Sequence, residues 1–202
     1  MTFVLVVLVA AAWYVLRRPR AGDSAAARAR HLRTSRSREA AQWESGAVGE
    51  RRTAARLSPL WLRLWWVLHD RRLPTGRANV DHLVITFFGV IFVIDTKRWS
   101  SRFRVRVVGG RLLHGDMDVT DRLRGLRHEA RTVAAVLGRP VIPIVAMDGP
   151  PIDGGELLLD GIRIVPADRL VPVLKVLSRQ LCGFGPLIGW HAARLLKPYG
   201  RN

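Results

Sequence analysis

Cysteine is nearly absent. The one thiol, Cys182 in "RQLCGFG", rules out an intrachain disulfide and a cysteine-built zinc site, and is expected to act as a small buried apolar side chain. Histidine is scattered. His31, His69, His82, His114, His128 and His191 include no pair at metal-ligand spacing, so none is assigned to a metal. Acid is in short supply as well: 16 Asp+Glu stand against 33 Lys+Arg, a net charge of +17 in 202 residues. Such an imbalance calls for a polyanionic partner, either nucleic acid or an anionic membrane surface. Most of the positive charge is arginine in an alanine-rich chain with few lysines, so part of the excess also fits a high-GC coding bias. There is no internal repeat. Apolar residues make up 49% of the chain, enough for the core of one domain with extensions.

A full-length apolar span is missing too. Residues 2–16, "TFVLVVLVAAAWYVL", carry no charge but fall short of the roughly 20 apolar residues a bilayer crossing takes. Trp13 and Tyr14 suit a membrane interface, and Arg17, Arg18 and Arg20 follow at once. The positive-inside rule then puts the rest of the chain in the cytoplasm. A cleaved signal peptide is the rival: Ala10 to Ala12 offer small residues, but the basic leading region is lacking. A helix packed on the domain is the third possibility. The expectation is a transmembrane or signal-anchor helix over 1–16. A basic Arg/Ala-rich linker over 17–42 follows, touching anionic headgroups or serving as a solvated spacer. A globular domain over 43–180 and an amphipathic tail over 181–202 complete the chain.

Within the domain, "ESGAVGERRTAARLSPL" predicts a helix over about 46–58, capped by Ser45 and stopped by Pro59. "WLRLWWVLHDRRL" alternates and is aromatic, which predicts a strand over about 62–69. "NVDHLVITFFGVIFVIDTKRW" reads as a hairpin over 79–97. "RFRVRVVGGRLLHGD" reads as strand, Gly109-Gly110 turn, strand. A helix over 119–137 carries the stripe Leu123, Leu126, Ala130, Val133 and Leu137, with Gly138 as its C-cap. "PVIPIVAMDG" is apolar throughout, the mark of a central strand covered on both faces. A short strand in "DGIRIVPADRL" is followed by a helix opened by Pro166, and the tail holds one more amphipathic helix. The order predicts an α/β sandwich around one mixed sheet.

The hairpin poses a chemical question, because a greasy pair of strands carries two acids and a lysine. A turn centred on Phe88 sets Asp81 directly opposite Asp95, with Cβ atoms about 5 Å apart on one face. Lys97, two residues beyond Asp95, projects from that same face. Opposed like charges destabilise unless a cation sits between them. Lys97 is one such cation and a divalent metal of the Mg²⁺ kind is the other. The alternative is a solvated rim of ion pairs at the strand ends.

Three motifs occur in order along residues 43–99: Gly46-Ala47-Val48-Gly49-Glu50, then Val80-Asp81-His82, then Gly89 through Asp95-Thr96-Lys97. Together they resemble the nuclease-related domain (NERD) family, a branch of the PD-(D/E)xK nuclease superfamily. The resemblance implies a restriction-endonuclease-like mixed sheet flanked by helices. It implies that Glu50, Asp81 and Asp95 share Mg²⁺ (or Mn²⁺), and that Lys97 orients or deprotonates the attacking water and steadies the phosphate. Two features depart from the family pattern. Asp95 stands where Glu is common, and Glu129 stands at the place many relatives fill with Gln, where a carboxylate either joins the metal or repels the phosphate.

Other residues invite plainer readings. His82 points to the face opposite Asp81 and is expected to be packed. Trp61, Trp65 and Trp66 are expected to cover the sheet rather than stack on bases. Arg98, Arg102 and Arg104, with Arg106, line a phosphate track or form the exposed face of a strand. Asp148 is expected to be a turn residue. The function expected is Mg²⁺-dependent hydrolysis of DNA by a membrane-anchored protein. The alternatives are a tethered, non-cutting binder of nucleic acid or of a partner, and a structural membrane protein whose linker grips anionic lipid.

Overall fold

The computed structural model describes residues 37–74, 78–179 and 182–199. The anchor and linker expected over 1–16 and 17–42 lie almost wholly outside that range. Among the described residues, no helix is long and apolar enough to cross a membrane. The chain folds as a mixed α/β structure. Its elements are α1 (Ser37–Leu57), β1 (Trp66–Arg72), β2 (Asn79–Ile85), β3 (Ile91–Arg98), β4 (Val105–Val108), β5 (Arg111–His114), β6 (Met117–Asp118), α2 (Arg124–Leu137), β7 (Ile142–Asp148), β8 (Leu157–Leu159), β9 (Ile162–Pro166), α3 (Leu170–Leu177) and α4 (Gly185–Leu195). Six strands form one sheet in the order β1-β2-β3-β7-β9-β8, while β4, β5 and β6 make a small separate sheet. The β1–β2–β3 run is antiparallel; β7 pairs parallel with both β3 and β9.

Alternation along the central strands divides the core into two layers. Ile91 and Val93 of β3 and Val145 and Met147 of β7 pack with Leu126, Ala130 and Val133 of α2 and with Ile188 and Ala192 of α4. Phe92, Ile94, Ile144 and Ala146 pack on the other face with Leu57 of α1 and Leu170 and Leu174 of α3. Helices therefore cover both faces, and the apolar run of β7 is central, as its sequence requires. Residues at 197–199 run along the edge of β1: Arg72 N–H donates to Lys197 O at 2.8 Å and Tyr199 N–H to Asp70 O at 3.0 Å, so that edge is not left open.

Several local expectations need correction. Helix α1 starts well before residue 46, which puts Ser45 inside the helix and not at its cap. Residues Ser58–Arg63 are a 3-10 helix with Pro59 in its first turn, and Leu64 adopts a left-handed φ of 59° before the strand begins at Trp66. The strand is thus displaced to Trp66–Arg72 because the aromatic alternation begins in a turn. The helix placed at 119–137 divides into a 3-10 turn, Thr120–Leu123, and α2, which ends on left-handed Gly138 as its sequence predicts. Pro166 closes β9, and the helix after it begins only at Leu170. Cys182 is exposed, not buried, because it lies in the connection between α3 and α4 with its backbone tied to Phe88 O and its carbonyl to Arg139. Strand β8 goes unread in the sequence, where "LLL" is too short to show a period.

Candidate active site

The site begins in the turn between β2 and β3. Thr86 caps it twice: its carbonyl accepts from Gly89 N–H at 3.0 Å and its hydroxyl from Val90 N–H at 3.0 Å. Gly89 supplies the φ of 80° that the turn demands. This geometry fixes the register, with Ile85 opposite Ile91 and His82 opposite Ile94. The next rung in that register sets Asp81 opposite Asp95, the pairing expected from a turn centred on Phe88. Asp95 and Lys97 follow Ile91 and Val93 on the α2 face of the sheet.

Helix α1 brings Glu50 to the same place. Gly49 is the reason the helix can approach. A Cβ there would stand 3.2 Å from both Thr96 Cγ2 and Arg98 Cβ, so the absence of a side chain lets α1 lie against β3. Helix α2 contributes Glu129 from the opposite layer. Glu50, Asp81, Asp95, Lys97 and Glu129 all line one cavity of about 750 Å³. Four acids and one lysine from four elements converge there.

Their electrostatics are those of acids crowded out of water. Asp81 is pushed well above the usual carboxylate range, by burial first and then by Glu50, Asp95 and Glu129; Lys97 pulls it back only in part. Glu129 is pushed up to about 8, by burial first and then by Asp95, with Lys97 opposing and Glu50 adding to the rise. Burial works to lower the pKa of Lys97, but Asp95 beside it outweighs that, helped by Asp81 and Glu129, and the net shift is upward. The Lys97 Nζ to Asp95 Oδ2 distance is 2.6 Å, and Asp81 Oδ2 accepts from Thr96 N–H at 3.3 Å. Glu129 Oε2 is buried with no hydrogen-bond partner.

A divalent cation fits this donor set. Its carboxylate oxygens are hard ligands, they repel one another, and one of them is an orphaned buried oxygen. Among the described residues, no three of these groups yet stand grouped as metal ligands, since Asp95 is turned to Lys97 and Asp81 to the Thr96 amide.

The remaining residues separate clearly. Of the arginines expected to meet nucleic acid, Arg98 lines the cavity. Arg104 instead pairs with Asp153 at 3.1 Å, and Arg102 lies over the ring of Phe103. Arg122 was missed in the sequence and does line the cavity. Its only signal was its place just before α2. His82 is fully buried on the other face, in Nδ1 to Nδ1 contact with His69 at 2.8 Å, a packed histidine as expected. Trp65 is core, Trp66 is half-buried and Trp61 is exposed, and none of the three lines the cavity. Asp148 is more than a turn residue, because it joins Arg52 of α1 (3.4 Å) and Arg98 of β3 (3.8 Å) at the end of β7.

The pattern of the nuclease-related domain (NERD) family matches residues 45–147, half of the chain, and covers α1 from Ser45 on, the hairpin, the small sheet, α2 and nearly all of β7. No curated protein and no solved structure is similar enough to match. The ordered acids, the lysine and the sheet that carries them agree with that match: the chain belongs to the nuclease-related domain family, consistent with the PD-(D/E)xK nuclease superfamily.

Proposed function

We infer that membership of this family brings a nuclease-related function, a divalent metal and a nucleic-acid partner in general terms. We propose specifically that the chain hydrolyses DNA phosphodiester bonds with Mg²⁺ or Mn²⁺, using Glu50, Asp81, Asp95 and Lys97. The observation that carries the reading is the convergence of those four groups and Glu129 on one cavity from four separate elements. So crowded a set of acids, two of them with raised pKa, is the kind of cluster found at functional sites.

Glu50, Asp81 and Asp95 would hold the cation, and the orphaned oxygen of Glu129 makes it the fourth candidate. When bound, such an ion supplies Lewis acidity, lowering the pKa of water and offsetting charge on the phosphate. Lys97 keeps its proton at neutral pH in this arrangement, since its pKa is raised. Its part would be to orient or deprotonate the attacking water and to steady charge on the phosphate. Until a cation binds, Glu129 holds a proton at neutral pH, so it presents the phosphate with a neutral carboxyl and not one more repelling charge. Arg98 is placed to hold a phosphate at the cavity.

The decisive assay incubates the full-length chain with plasmid and single-stranded DNA in Mg²⁺, Mn²⁺ or EDTA, beside Lys97→Ala and Asp81→Asn. Metal-dependent cutting lost in both variants is the expected result. Cutting that survives both would place the chemistry elsewhere. Binding without any cutting would leave a tethered binder of nucleic acid or of a partner.

The membrane tether belongs to the same proposal. Residues 2–16 would anchor the chain in the cell membrane as a single pass, with the domain on the cytoplasmic side, supported by the apolar run and the arginines that follow it. Carbonate extraction of membranes and protease accessibility of the domain test it. Release by carbonate, or digestion from the outer side, would overturn it.

A further inference from the structure

One wall of the cavity carries a surface that hydrolysis itself does not use. Trp99, His114, Met117 and Arg122 line it. Trp99 follows directly on β3, and its backbone is held at the end of β7: its N–H donates to Asp148 O at 3.2 Å, and Gly149 leaves room for its carbonyl, which a Cβ would meet at 2.4 Å. The imidazole of His114 lies tilted on the Trp99 ring, with centroids 5.2 Å apart and planes at 36°. That imidazole is fixed by a contact of 3.0 Å between Nε2 and Ser100 O, and Phe103 meets it edge-on at 5.7 Å. The small sheet β4–β5–β6 thus holds an aromatic platform against the cavity, with Met117 64% exposed beside it.

Arg122 completes the wall. Its guanidinium lies over the Trp99 ring, 5.8 Å from the centroid and within cation–π range, on an exposed side chain. It has no ion-pair partner among the described residues, whereas the neighbouring acids Asp116, Asp118 and Asp121 are paired with Arg106, Arg111 and Arg124. An outward swing of this exposed side chain would open the indole face to a flat π system.

We infer that this wall stacks an unpaired base, and that the substrate of the site is therefore single-stranded or locally opened nucleic acid. The inference rests on the hydrolytic reading of the same cavity. A duplex keeps the faces of its bases stacked on one another, so only an unpaired base offers a free π face to Trp99. Two residues of extended chain, about 7 Å, separate Trp99 from Lys97, so a base on the platform belongs to a nucleotide adjoining the phosphate at Lys97. The recess favours the same conclusion. Asp95 is only 6% exposed, and a thin strand enters a wall-lined cavity more readily than a two-stranded rod.

The test measures binding apart from cutting. Fluorescence anisotropy in Mg²⁺ is read on the full-length Lys97→Ala chain, so that the strand stays whole, with and without Trp99→Ala or Trp99→Phe. The probes are a labelled single strand, the same strand with abasic residues at equal charge, and its duplex. Stacking predicts that the abasic strand binds about 5- to 150-fold more weakly, the range for loss of one stacked base. Trp99→Ala should weaken the intact strand to the abasic level and leave the abasic strand unchanged, while Trp99→Phe retains most of the affinity. A Trp99→Ala loss shared equally by intact and abasic strands would mark a structural role and overturn the inference. Equal binding of duplex and single strand would overturn it as well. Base-dependent binding by a chain whose unmutated form cuts nothing would uphold the platform and remove the hydrolytic reading. Duplex cutting that is lost in Lys97→Ala but indifferent to Trp99 would uphold hydrolysis and remove the platform.

Discussion

Asp81 and Glu129 are held against their own preference, and that has a measurable sign. Each has a folded-state pKa raised above its unfolded value, so each folds most favourably when protonated. For Glu129 the stability loss is absent below about 4.5 and grows as pH rises toward about 8. The full-length chain in EDTA is therefore expected to melt at progressively lower temperature as pH climbs across that window. Glu129→Gln should flatten the slope, with a gain of a few kcal/mol at pH 8 and little at pH 4.5. Mg²⁺ should raise the melting temperature above neutrality and do much less below pH 5. A slope that Glu129→Gln leaves unchanged would refute this. Asp81→Asn should likewise stabilise the metal-free chain while removing hydrolysis, the opposition expected of a residue kept for chemistry and not for packing.

Two elements depend on glycine for their approach. Gly49→Val would force α1 away from Thr96 and Arg98, and α1 carries Glu50 one residue further on. The expected cost is about 1–3 kcal/mol of stability, with a larger proportional loss of cutting, because Glu50 moves out of the cavity. Gly189 plays the same part in α4, where a Cβ would come within 2.2 Å of the Trp66 ring. Gly189→Ala should lower the denaturation midpoint in urea and leave cutting by the folded fraction unaltered. Sequence made the hairpin legible because its register depends on near neighbours: one glycine, one threonine and strict alternation suffice. It revealed neither the 3-10 turn before β1 nor β8, since a left-handed Leu64 and a three-residue strand are imposed by what packs around them. The hairpin acids and Lys97 were readable for the same local reason. Arg122 and the Trp99 wall were not, because the small sheet that brings His114 back to Trp99 is a tertiary event.

Across the whole molecule the charge of +17 should make binding to DNA fall steeply with salt. Arg98→Ala should reduce the slope of log affinity against log salt by about 0.7 on a single strand. An unchanged slope would mean that Arg98 meets no phosphate. The topology has its own consequence. The β1–β2–β3 meander closes locally, but β3 waits for β7, and the chain between them carries the small sheet and α2. Such long-range pairing forms late. Glu50, Asp81 and Lys97 leave the ribosome well before Glu129 and the strand that seats α2. A half-made chain thus carries acids and a lysine but no enclosed cavity. Synthesis order thus leaves Glu50, Asp81 and Lys97 open to solvent until the strand and helix that enclose them have been made.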